Sequence, residues 1–287
     1  MNMVPGSLNP DDNSYDDFIR LAIEAVKEGS IPMERIDDAV SRILKIKKKI
    51  GLFDNPIKAP KNTNVVGSKK HRDLARKSVR KSLVLLKNKG GVLPLDKNNS
   101  KITLVGEHAD NIGYQSGGWT IHWQGESGDI TPGTTILDAF KSAVVDSNSI
   151  HYSKDGGDLS RSDVVVVVVG EKPYSEGVGD RDSLHLSDED LKLLKKVKNT
   201  NLPHVVILIS GRPMIIKEVI DDSDAFIAAW LPGTEGSGIS DVMFGDFDFT
   251  GKLSMTWPKS MKQIPINYGD NNYDPLFQFG FGLSYNK

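Results

Sequence analysis

The 287-residue chain contains no cysteine. Disulfides, thiolate metal sites and cysteine nucleophiles are therefore excluded, while the redox compartment stays open, because a chain without cysteine works in either. Neither sign of charge is in excess: 36 Lys and Arg stand against 38 Asp and Glu, a formal net charge of −2. That balance offers no electrostatic reason to expect nucleic acid as a partner. No apolar run approaches the roughly 20 residues of a transmembrane helix, so no membrane span is expected. The opening MNMVPGSLNPDD lacks a basic segment followed by an apolar one, so no secretory signal is visible and the compartment stays undetermined. Internal repeats and low-complexity tracts are also absent. The length suits one large or two ordinary domains.

What is present begins with two helical patterns. Over 14–28, Phe18, Leu21, Ala22, Ala25 and Val26 share one face, and Ser14 with Asp17 resembles a capping pair. A second helix follows Pro32, with Ile36, Ala39, Val40, Ile43 and Ile50 at helical spacing, Lys45 to Lys49 crowding its end, and Gly51 stopping it. The lysines read as a solvated helix end rather than a phosphate patch. Residues 54–70, with two prolines and no apolar period, read as a linker.

Beyond the linker, helix and strand alternate. Helices are expected around 71–82, 135–144, 187–197, 214–220 and 236–244, and strands at 83–86, 102–105, 149–153, 164–169, 205–209 and 225–230. This alternation argues for an α/β fold, a mostly parallel sheet with helices on both faces. Six consecutive valines, Val164 to Val169, have no polar face and fit a central strand covered on both sides. Pro173 and three glycines then force a loop that carries Glu171 and Glu176. In such sheets ligands bind at the carboxyl ends of the strands, where these carboxylates are expected.

A second loop, GYQSGGWTIHWQGESG over 113–128, sets Trp119 and Trp123 among five glycines and two glutamines. Flat aromatic faces beside amides suit sugar rings; the competing reading packs both indoles under the loop. Glu176, followed by Gly177 and Gly179, is better placed for a general acid than Glu171, which is expected to hold the loop by hydrogen bonds. His108 and Asp110 lack further ligands in sequence, so no metal is expected there and a structural role is favoured. The GTEGSG turn at 233–238 lacks a P-loop lysine and GxGxxG spacing, which leaves a nucleotide-binding reading weak. No cofactor is expected.

Together these motifs resemble glycoside hydrolase family 3, close to its β-glucosidase and exo-β-glucanase members. The stretches that carry the resemblance are IPMERIDDAVSRILKIKKKIGLFDNP, GEHADNIGYQSGGWTIHWQG, VVVGEKPYSEGVGD, ILISGRP, AAWLPGTEGSGISDVMFGD and YDPLFQFGFGLSY, spread over nearly the whole chain. The resemblance implies that 1–53 is the tail of a TIM-like barrel with MNMVP as its last strand, 54–70 a linker, and 71–287 an α/β sandwich domain with a C-terminal extension. It implies retaining hydrolysis of β-linked glucosides or β-glucan oligosaccharides from the non-reducing end, with Glu176 as acid/base and Trp123, and by extension Trp119, as the aromatic subsite wall. The family's nucleophile is an aspartate in a Ser-Asp-Trp type segment of the barrel, and no such segment occurs here. The expectation is a piece or subunit of an enzyme, inactive without a barrel portion supplied as a separate chain or homologous subunit. The alternative is a non-catalytic glucan-binding or degenerate subunit.

Overall fold

The computed structural model describes residues 15–56 and 63–285. Two compact units divide the chain, Met1–Val65 and Val66–Lys287. The smaller holds helices α1 (Tyr15–Lys27) and α2 (Met33–Lys49). Pro32 caps α2 in extended geometry, and α2 ends where Leu52 N–H reaches back to the Lys47 carbonyl and Gly51 N–H to that of Lys48, the paired bonds of a Schellman stop. No residue of either helix is buried: Phe18, Leu21, Val40 and Ile50 are exposed along their apolar stripes. The cap expected at Ser14 and the strand expected at MNMVP lie outside the described residues.

The larger unit is a six-stranded sheet with the order β1-β6-β5-β4-β2-β3. Its strands are β1 (Val84–Asn88), β2 (Ile102–Val105), β3 (Ile150–Ser153), β4 (Val164–Gly170), β5 (His204–Ile209) and β6 (Ala225–Trp230). Five run parallel; β1 pairs antiparallel with β6 at the edge, so the loop after it emerges at the opposite end of the sheet. The C-terminal segment covers that edge, with Leu283 N–H bonded to the Leu85 carbonyl at 2.9 Å.

The valine run is β4, seated between β2 and β5. With side chains alternating along a strand, Val166 and Val168 enter one core and Val165, Val167 and Val169 the other. The first core is closed by α3 (Lys69–Ser82), α5 (Ile136–Ala143) and α8 (Ser237–Met243) through Val79, Phe140 and Met243. The second is closed by α6 (Asp188–Lys198) and α7 (Lys217–Asp222) through Leu194, Val197 and Ile220, together with Trp257, whose indole N–H donates to the Met214 carbonyl at 2.7 Å. Ion pairs bind α3 to α8: the buried Asp241 carboxylate accepts from Arg76 Nε at 2.6 Å and from Arg80.

The helix expected at 214–220 starts only at Lys217. Residues 214–216 are instead drawn against 184–185, where Ile215 N–H bonds to the Leu184 carbonyl at 2.8 Å. Within the stretch read as linker, α3 already begins at Lys69. A short helix, α4 (Ile112–Ser116), opens the tryptophan loop where none was expected.

Candidate active site

From β2 the chain steps outward to β3, then returns across β2 to β4 and continues through β5 to β6. The direction of winding reverses between β2 and β4, and the loops leaving these two strands part to open a crevice. A cleft of about 830 Å³ lies there, lined among others by Gly106, His108, Tyr114, Glu171, Asp190 and Arg212. Glu176, Trp119 and Trp123 are not in its lining; they stand exposed outside it.

The β4 loop is built on Gly170, where a Cβ would lie 1.9 Å from the Ile209 carbonyl oxygen of β5. The next residue, Glu171, is buried. Its carboxylate accepts from Arg212 Nε at 3.0 Å and Nη2 at 2.9 Å, from Arg181 Nη2 at 2.6 Å and from the Tyr174 hydroxyl at 3.0 Å. Burial and the adjacent Glu171 push the Tyr174 hydroxyl up to about 12, so it serves as a donor. Beneath, the buried His108 ring packs 4.7 Å from Tyr114, with Nε2 3.2 Å from the Glu171 carbonyl oxygen. Burial drives its pKa down to about 4. A neutral ring donating from Nε2 satisfies that carbonyl, while Asp110 lies exposed at the surface. Among the described residues no cluster of three His, Cys, Asp or Glu could hold a metal.

Asp190 joins the same floor from the first turn of α6. Its N–H is capped by the Ser187 hydroxyl at 3.1 Å, and desolvation raises its carboxyl to about 6 against the backbone N–H of Gly170 and the Ser187 hydroxyl, which favour the charged form.

Glu176 lies five residues beyond Glu171, exposed in the turn 176–179. Ser175 before it is buried. Its N–H donates to Gln124 Oε1 at 2.9 Å, and its hydroxyl donates to the Trp123 carbonyl. The base of the tryptophan loop is closed by Asn111, whose Oδ1 accepts from Tyr114 N–H at 3.0 Å and Gly128 N–H at 2.8 Å. At the tip, Trp119 and Ile121 hold left-handed backbone, φ 60° and 62°, a conformation costly for bulky side chains and concentrated at functional sites. Trp119 is 70% and Trp123 50% exposed, their ring centres 6.2 Å apart. Neither indole is packed away under the loop.

The GTEGSG turn is occupied with its own structure. Gln115 Nε2 donates to the Gly233 carbonyl at 2.9 Å, Gly233 N–H to the Gln115 carbonyl at 2.9 Å, and Glu235 pairs with Arg72 at 3.0 Å. Sequence reasoning missed Ser175, Gln124, Arg181 and Arg212 as members of the site. Ser175 carried the signal of its place beside Glu176, Gln124 that of an amide in the tryptophan loop, and Arg212 that of a loop leaving a strand end; which of them meet depends on which loops become neighbours.

Residues 83–285 match the family model of the glycosyl hydrolase family 3 C-terminal domain. A lysosomal beta glucosidase of Dictyostelium discoideum is 34% identical over 314 aligned residues, an alignment covering 99% of this chain and 37% of that protein. A beta-xylosidase of Formosa agariphila is 34% identical, covering 88% of this chain and 39% of its own length. The crystal structure of an exo-1,3/1,4-beta-glucanase from a Pseudoalteromonas species superposes with a TM-score of 0.86 at 41% identity, over 95% of this chain and 36% of that one. The chain thus spans well under half the length of each.

Proposed function

The chain belongs to glycoside hydrolase family 3, and from that premise we propose that it forms the C-terminal part of a retaining β-glucosidase or exo-β-glucanase acting on β-linked glucosides. In this reading residues 1–53 are the tail of a TIM-like barrel, 54–70 a linker and 71–287 the sandwich domain. Glu176 protonates the glycosidic oxygen as the leaving group departs, then draws a proton from the water that releases the sugar. Trp123 stacks on the sugar beyond the scissile bond, and Trp119 extends that wall. Glu171 holds the base of the acid/base loop. The nucleophilic aspartate comes from a barrel portion outside these residues, set about 5–5.5 Å from the acid/base carboxyl as retention requires.

One observation supports this reading above the others. An exposed glutamate and two exposed indoles sit on loops that leave neighbouring strands at the point where the sheet reverses its winding. A solvent-facing acid can be carried against a substrate held by a second domain, and charged partners lining the cleft beneath keep its loop in place. Apolar stripes left open on α1 and α2 are consistent with a barrel partner.

The test supplies the barrel portion and assays aryl β-glucosides with the wild-type chain and Glu176→Gln. kcat/KM, which reports formation of the glycosyl-enzyme, is expected to collapse on poor leaving groups and to persist on activated ones, while kcat on activated ones falls because the same carboxyl is the base for release of the sugar. Equal turnover of both variants on both substrates would remove Glu176 from the role. Calorimetric titration of the chain alone with glucooligosaccharides tests the rival reading: affinity that depends on Trp123, with no hydrolysis even when the barrel is present, would favour a glucan-binding subunit.

A further inference from the structure

We propose that Ser175 is a positioning residue for the acid/base step, fastening the Glu176 turn to the tryptophan loop so that the acid and the sugar-stacking wall hold one geometry. The proposal rests on the reading of Glu176 as acid/base and adds a residue and a coupling to it.

The Glu171 network ties down Tyr174 and Arg181, one on each side of the Glu176 turn. Residues 176–178 between them are exposed, and ties at those flanks alone leave the carboxyl free to swing. The fixed point next to the acid itself is Ser175. Its hydroxyl donates to the Trp123 carbonyl oxygen, which also accepts Trp119 N–H at 3.0 Å. A single carbonyl therefore joins both indole-bearing residues to the residue preceding the acid. The Ser175 N–H adds a bond to Gln124 Oε1 at 2.9 Å. Gln124 Nε2 is buried without a hydrogen-bond partner among the described residues, so that side chain is held in place through its oxygen.

Packing gives the same answer independently. At Gly118 a Cβ would stand 2.1 Å from the Tyr174 carbonyl oxygen and 2.8 Å from Ser175 Oγ. The tryptophan loop can pass this close only because Gly118 has no side chain. Ser175 is buried in that contact while its neighbour Glu176 is exposed, so the backbone is fixed at one residue and presents the acid at the next. General acid catalysis is steep in geometry, and small misplacements of a reacting group cost large factors in rate.

Loss of acid positioning has a signature that general destabilisation lacks. In the glycosylation step, read as kcat/KM, a leaving group that needs protonation suffers and an activated one does not. With the barrel portion supplied, Ser175→Ala and Gln124→Ala are compared with Glu176→Gln on an alkyl and a dinitrophenyl β-glucoside. Ser175→Ala is expected to lower kcat/KM about tenfold on the alkyl glucoside and less than about twofold on the activated one, with Gln124→Ala in the same direction. Equal losses on both substrates, while Glu176→Gln remains selective, would overturn the role of Ser175 and leave that of Glu176 standing. A Glu176→Gln variant with no selectivity would overturn both.

The coupling is also measurable in the chain by itself. Amide hydrogen exchange in Ser175→Ala is expected to quicken in residues 117–125 and 172–180 together, with the β4 and β5 amides unchanged. Faster exchange confined to 172–180, or none, would overturn the coupling.

Discussion

The Arg212 guanidinium lies 4.4 Å from the centre of the Tyr174 ring while its Nε and Nη2 both donate to one oxygen of Glu171. Arg212 follows β5; Tyr174 and Glu171 follow β4. One flat cation thus uses its face on the aromatic ring and its edge on the carboxylate, and ties two adjacent strand-end loops together.

Lysine keeps the charge but has neither the fork nor the flat face. Arg212→Lys is therefore expected to destabilise the larger unit by about 1–2 kcal/mol. A lowered midpoint with an unchanged m-value in urea unfolding would report it; wild-type stability would show that the charge alone suffices.

Glu171→Gln leaves Arg181 and Arg212 facing a neutral amide around a buried position. Removing one partner of a buried pair costs about 3 kcal/mol. Arg181 is itself 40% exposed, so Arg181→Ala is expected to cost less than about 1 kcal/mol. The ordering of the two variants in chemical unfolding is the check, and the reverse order would place the electrostatic centre of the loop at Arg181.

One buried and one half-buried titrating group give opposing pH dependence. His108 has its pKa lowered from 6.5 to about 4, so the unfolded chain binds the extra proton between these values and stability rises with pH across that window. Asp190 has its pKa raised from 3.8 to about 6, so the folded chain holds the extra proton and stability falls as pH rises from about 4 to 6. The two slopes offset each other in the wild type. Asp190→Asn should unmask a Tm that climbs from pH 4 to 6.5, and His108→Asn one that declines from pH 4 to 6. Parallel thermal melts of the three proteins across that range decide it.

Trp123→Ala should weaken the binding of a glucooligosaccharide about fivefold, the equivalent of about 1 kcal/mol of aromatic contact. Trp119→Ala should have the smaller effect, because Trp123 is the residue whose carbonyl is bonded to Ser175 beside Glu176. Calorimetric titration of both variants gives the comparison; equal affinities for wild type and Trp123→Ala would remove the indole from the subsite.

Much of the sheet was legible because burial writes a simple code along a strand. The unbroken valines demanded cover on both faces, and β4 has it on both. Strands β2, β5 and β6 lie within a residue of the positions read from their apolar runs. Legibility failed where tertiary pairing overrode local propensity. Ile215 was drawn into a bridge against His185, and which strand of the mostly parallel sheet runs antiparallel was decided by the edge pairing of β1 with β6. The exposure of Trp119 and Trp123 followed from their glycine-rich surroundings, which offer no apolar bed. Hydrogen bonding by Glu171 was expected from the sequence, and Tyr174 and Arg181 lie near it in the chain; the two bonds from Arg212, 41 positions away, could not be read, since nothing local pairs the two.

By itself, then, the sequence determined the α/β class, the central strand, the family motifs and the placement of Glu176 and Trp123 on loops, because periodicity, glycine and charge act over a few residues at a time. Only the tertiary structure decided that the winding reverses between β2 and β4. That reversal brings a loop beginning at residue 106 against one beginning at residue 171, and so lets the Trp123 carbonyl receive the Ser175 hydroxyl. The physical reason is strand order: residues far apart in sequence become neighbours only when their strands do.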